Sequence, residues 1–158
     1  MQSVSITGIE DLNDDFGKLL KRFPKMKRNF HEKAADILKR HVDNEINKSD
    51  LNDSHGKIRG WQVKYVGSKG GYAAIRATDT SSGKNSPGAI TNYLENGHKI
   101  RKPSGKNKYY KRRVKKIYVD GFHFYARASK TIENDILSLA EQFADDIASS
   151  FNQRRGAW

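Results

Sequence analysis

Trp61-Gln62-Val63-Lys64-Tyr65-Val66-Gly67-Ser68-Lys69-Gly70-Gly71-Tyr72-Ala73-Ala74-Ile75-Arg76-Ala77-Thr78 is the stretch that separates this chain from an all-helical one. Trp61, Val63 and Tyr65 alternate with Gln62 and Lys64, the period of two shown by a strand with one buried face. Gly67 to Gly71 supplies a glycine-rich turn, and Tyr72 to Thr78 returns as a second strand. Residues 60–79 therefore read as a β-hairpin.

Upstream the period changes to threes and fours. Leu12, Phe16, Leu19, Leu20 and Phe23 form one apolar stripe, and Pro24 ends it, because the residue before a proline disfavours helical geometry. A second helix can start at once, since proline fits a first turn. Its stripe is Phe30, Ala34, Ile37, Leu38, His41, Val42 and Ile46, roughly 22 residues and about 33 Å of helix. Residues 1–10 are expected to be an N-terminal arm. Ser49 to Gly60 carries Asn52, Asp53, Gly56 and Gly60 and reads as a loop.

Downstream, Thr80 to Pro87 reads as a flexible loop, and Gly88 to Asn96 as a short helix stopped by Gly97. Ile117 to Val119 resembles a third strand closed by Asp120-Gly121. A long helix is expected from there to Asn152, on the stripe Ile132, Ile136, Leu139, Phe143, Ile147 and Phe151. Ala140, Ala144 and Ala148 widen the apolar face, which suits burial. Residues 153–158 read as a flexible tail, and no internal repeat is present. The expectation is one α+β domain spanning 1–158, a small antiparallel sheet packed against two N-terminal helices and a long C-terminal helix, with a long basic loop. Trp61, Tyr72, Tyr93 and Phe124 are expected in the core or on the sheet face, with an oligomer interface as their other place.

That loop, 99–116, is the most biased segment. It holds Lys99, Arg101, Lys102, Lys106, Lys108, Lys111, Arg112, Arg113, Lys115 and Lys116 and no acidic residue, and so accounts for nearly all of the formal net charge of +12. Two readings stand side by side. In one, these side chains meet DNA phosphates or an acidic protein surface, with Tyr109 and Tyr110 able to stack. In the other, the loop is a solvated run that only aids solubility. Nothing in it reads bases, so contact with double-stranded DNA would be non-specific.

Other chemistry finds little support. The absence of cysteine removes disulfides and thiolate metal sites and suits a reducing cytoplasm. No stretch approaches the roughly 18 apolar residues of a membrane span, and Met1 to Gly8 lacks the pattern of a secretory signal. The histidines are 31, 41, 55, 98 and 123. His31-Glu32 starts like a zinc-protease helix motif, but position 35 is alanine where the second histidine would stand. His41 reads as a core or boundary residue. No nucleophile elbow, phosphate loop or dinucleotide fingerprint is present. Asp14-Asp15 and Asp145-Asp146 sit on helices, where adjacent residues do not share a face. Glu95 is expected to form an ion pair with the basic loop. No catalytic residue, cofactor, metal or small-molecule substrate is expected. A basic ribonuclease using His98 with Lys and Arg side chains is the enzymatic alternative, although no convergence on one phosphate is visible.

Two segments carry a resemblance. Ala89-Ile90-Thr91-Asn92-Tyr93-Leu94-Glu95-Asn96-Gly97-His98 holds a tyrosine, an acidic residue and a glycine in sequence. Gly121-Phe122-His123-Phe124-Tyr125-Ala126-Arg127-Ala128 is an aromatic entry, with Arg-x-Ala features, into the last helix. With the upstream helices and Gly56-Lys57-Ile58-Arg59 in the same order, the chain resembles the small tail-component proteins of long-tailed bacteriophages and prophages. These are the neck, head–tail joining and tail-completion proteins. The likeness runs over roughly residues 8–150, and the long basic loop departs from the pattern. The resemblance implies an α+β fold and a structural virion protein, made in the host cytoplasm. It also implies homo-oligomeric rings in the neck or upper tail, beside head-completion and tail proteins, and no enzyme activity. Free, non-specific nucleic-acid binding is the main alternative.

Overall fold

The computed structural model describes residues 9–78, 85–100 and 117–152. The arm before Ile9, the loop centred on 80–84, most of the basic segment and the tail 153–158 lie outside them. Among the described residues the elements are α1 (Ile9–Lys48), α2 (Lys57–Trp61), β1 (Gln62–Val66), β2 (Ala73–Ala77), α3 (Pro87–Asn96), β3 (His98–Lys99), β4 (Tyr118–Val119), α4 (Phe124–Thr131) and α5 (Glu133–Asn152). The class is α+β. Its strands form two separate two-stranded sheets, β1 with β2 and β3 with β4, where one sheet was expected.

The chain divides into two compact units. One comprises Met1–Leu38, Lys64–Ala74 and Ile132–Trp158, the other Lys39–Val63 and Ile75–Thr131. In the first, α1 does not stop at Pro24. The helix runs unbroken for 40 residues with that proline inside it, where two helices were expected. An interior proline loses one backbone hydrogen bond and crowds the preceding turn. Packing on both sides of it offsets that cost. The ring of Phe143 lies 6.2 Å from that of Phe23 and 5.0 Å from that of Phe30, so one α5 side chain grips α1 before and after the proline. Lys64 pairs with Asp36. In the hairpin turn the N–H of Gly67 donates to Tyr72 O at 3.1 Å, and that of Gly70 to Gly67 O at 2.7 Å.

The predicted final helix is two helices. The Thr131 hydroxyl donates to Ala128 O at 3.1 Å, a local bond that competes with helix continuation. Glu133 and Asp135 then supply the acidic first turn of a new helix. On α5 Leu139 is buried, whereas Ala140, Ala144 and Ala148 are exposed, contrary to the expectation of burial. The helix packs through its larger side chains, and the small ones point to solvent.

The second unit holds the main core. Val42, Ile46, Phe124 and Ala128 form its centre, with Leu51, Ile58, Ile75, Leu94, Phe122 and Tyr125 packed around them. Phe124 thus belongs to the core as expected, and Trp61 is half-buried. Tyr72 and Tyr93 are 54% and 41% exposed and so lie outside the core. His41 is half-buried, and its Nδ1 lies 2.9 Å from the Thr131 hydroxyl. The stretch read as a loop before the hairpin contains α2. Asp53 makes that turn possible, since its carboxylate accepts the N–H groups of Ile58 at 2.8 Å and Arg59 at 3.1 Å.

Candidate nucleic-acid or partner interface

α3 begins at Ser86, whose hydroxyl oxygen accepts the Ala89 N–H, with Pro87 in the first turn. It ends at Gly97, whose φ of 74° and ψ of 177° lie outside the regions open to other residues. A side chain there would also strike the chain, because a Cβ on Gly97 would stand 2.3 Å from Val119 O. A Cβ on Gly121 would stand 2.1 Å from Glu95 O. These two glycines let the end of α3 and the entry to α4 touch backbone to backbone. Phe122 N–H donates to Leu94 O at 2.7 Å, and His123 N–H to Glu95 O at 3.2 Å.

Glu95 closes the joint. It is 9% exposed, and its two carboxylate oxygens accept the N–H groups of Tyr125 at 3.0 Å and Ala126 at 3.1 Å. A carboxylate from one helix therefore caps the first turn of another, where unpaired N–H groups and the helix dipole favour negative charge. This capping role was not among the expectations for Glu95, and residues 101–116, the rest of the basic loop with which it was expected to pair, lie outside the described residues. Gln62, 1% exposed, completes the joint. Its Nε2 donates to Ile58 O at 2.9 Å and Thr91 Oγ1 at 3.2 Å, and its Oε1 accepts the Tyr125 hydroxyl. Burial, with the nearby Glu95 charge, pushes the Tyr125 phenol up to about 12.

Two further carboxylates secure the unit. Glu45, 5% exposed, accepts Lys48 Nζ at 2.8 Å and Arg127 Nε at 3.0 Å. The Lys48 hydrogen bond, with that of Arg127, outweighs burial and holds the Glu45 carboxyl below its ordinary range. Burial alone would raise Asp53, but the N–H groups of Ile58 and Arg59 and the Arg59 guanidinium outweigh it and hold it low.

The basic segment springs from this joint. β3 and β4 pair antiparallel, His98 opposite Val119 and Lys99 opposite Tyr118, and Ile100 N–H donates to Ile117 O at 2.9 Å. The chain thus leaves at Ile100 and returns at Ile117 side by side. The stem is tied to α3 by the Tyr118 hydroxyl, which donates to Asn96 O at 2.6 Å. Of the ten basic residues expected to make contact, Lys99 is placed, exposed, on β3. Arg101, Lys102, Lys106, Lys108, Lys111, Arg112, Arg113, Lys115 and Lys116 lie outside the described residues. Around the stem Ile117 is 67% exposed and Val119 40%, and the Tyr93 and His98 rings lie 5.3 Å apart. Such a margin offers exposed apolar and aromatic surface beside Lys99, a setting that can receive a polyanion or an acidic protein face.

Elsewhere in this unit an open groove of about 700 Å³ lies between the hairpin residues Val63 and Ile75 and the α3 residues Thr91, Asn92 and Glu95. Among the described residues no three His, Asp or Glu side chains gather in a way that could hold a metal ion. No described helix is long and apolar enough to cross a membrane. The chain matches no family model, no curated protein and no solved structure.

Proposed function

We propose that this chain is a structural, non-catalytic virion protein of a tailed phage or prophage, working in the neck or upper tail. It assembles with copies of itself into a ring and contacts the adjacent head-completion and tail proteins. The observation that carries the reading is the joint at Glu95. The two segments on which the resemblance rests lie some 30 residues apart, and they meet as one interlocked element through Glu95, Gly97 and Gly121. The stem of the basic segment is fixed to that element. In this reading the joint is scaffold, and the segment 99–116 reaches towards DNA in the lumen or an acidic neighbouring ring.

Electron microscopy of particles made without this gene, with complementation as control, tests the reading. Filled heads beside separate or malformed tails are expected, and normal infectious particles would overturn it. The charge density of 99–116 favours a second reading, a free non-specific nucleic-acid-binding protein. That protein would bind duplex DNA as a monomer or dimer. With five phosphate contacts, log K would fall against log salt with a slope near −4.5, from about 0.9 per contact.

A further inference from the structure

Within the second unit, the turn before α2 and one side of α3 enclose a hollow on the outside of the main core. It holds about 290 Å³ and is lined by the side chains of Ile58, Trp61, Ile90 and Leu94. All four are half-buried, and Ile58 and Leu94 pack on the core behind it. The frame is built before anything enters. Gly56 N–H donates to Asp53 O at 2.8 Å and Gly60 N–H to Gly56 O at 2.8 Å, while the Asp53 carboxylate holds the start of α2. A preformed apolar hollow of this size stands at the small end of ligand pockets and matches one large side chain.

The charges at the mouth say what accompanies that side chain. Lys57 is exposed, and its Nζ lies 5.4 Å from the centre of the Trp61 ring, so a cation stands against the wall. His55 is exposed on the same rim. Among the described residues no carboxylate forms an ion pair with Lys57. Asp53 also borders the hollow, but its carboxylate is committed to the N–H groups of Ile58 and Arg59 and to the Arg59 guanidinium. The rim is therefore positive, on a chain of net charge +12, and the complement to it is acidic.

We propose that this hollow is a docking pocket for a partner protein, taking one phenylalanine or leucine side chain that stands between acidic residues. The side chain enters against Trp61, Ile90 and Leu94, and a flanking carboxylate meets Lys57. The pocket belongs to the folded chain by itself, so purified protein reports it whether or not the virion reading holds.

The chain has two tryptophans, and Trp158→Phe leaves Trp61 as the single reporter in the full-length protein. Titrated at low salt with acetyl-Asp-Phe-Asp-amide, its emission is expected to shift to the blue and saturate in the millimolar range. The peptide with alanine in place of phenylalanine is expected to bind about tenfold more weakly. The peptide with lysines in place of aspartates is expected to lose about fivefold, as is Lys57→Glu at its exposed position. Ile90→Phe, which fills the hollow, should abolish the saturable shift, and should that variant fail to fold, Lys57→Glu and the peptide series still decide. No saturable shift up to about 20 mM overturns the pocket. Equal binding of the alanine peptide leaves only surface charge, and equal binding of the lysine peptide removes the acidic partner, so either overturns the proposal. Octanoate binding at least about tenfold tighter than the peptide gives the hollow to a free amphiphilic anion and overturns it too. So does self-association in sedimentation that Ile90→Phe abolishes, because the occupant would then be a second copy.

Discussion

Around Glu95 the polar groups are paired and the main core lies beside them, whereas on the first half of α1 Leu20 stands 70% exposed. In the sequence the emphasis runs the other way. Tyr93, Glu95, Gly97 and Gly121 to Ala128 look like a functional signature. Phe16, Leu20 and Phe23 look like an ordinary amphipathic stripe. The contrast shows that a motif can mark the place where a fold is locked. Binding surface is then sought where apolar side chains stand exposed, at the margin of the β3–β4 stem.

The comparison breaks first if the joint is not the lock. Phe124→Ala empties the centre of the second unit and is expected to cost about 3–5 kcal/mol, read as a fall in the urea midpoint. Gly121→Ala comes next, at more than about 2 kcal/mol, because Glu95 O occupies the space of the new methyl. Glu95→Ala follows at about 2 kcal/mol, since two helix N–H groups lose their acceptor, and Glu95→Gln, which keeps one acceptor oxygen, costs less. If Glu95→Ala unfolds at the wild-type midpoint, the carboxylate is free for another task and the contrast fails.

Acidity and alkalinity sharpen the same point. Glu45 and Asp53 are held below their ordinary values in the folded chain, so they protonate more readily when it unfolds. Their contribution is present above the ordinary carboxylate values of 4.5 and 3.8 and is lost as pH falls through the depressed ones. Tyr125 works in the opposite sense. Its contribution is full below pH 10 and disappears as pH rises towards about 12. Thermal melts from pH 2 to about 11 should show both limbs, and Tyr125→Phe should flatten only the alkaline one.

Much of the fold was legible because it rests on local periodicity. The hairpin at 60–79, the helix ending before Gly97 and the strand at 117–119 all emerge at nearly the expected residues. What was hidden depends on partners distant in sequence. Nothing near Pro24 announces that Phe143 grips both sides of it. Nor does the surrounding pattern mark Asp53 as the acceptor that starts α2, or Glu95 as the cap of a helix 30 residues on. The basic segment was plain from composition alone, and the structure adds the fixed stem from which it leaves.

The smallest expected effect on stability is also the most direct test of the functional account. With glutamine at the nine basic positions from Arg101 to Lys116, the chain should fold with a melting temperature within about 2 °C of the parent, because the stem and the joint are untouched. Supplied to phage lacking the gene, that variant is predicted to leave filled heads and tails unjoined. Infectious particles at the parental titre would contradict the account, because the segment would then be ornament on a protein that works through another surface.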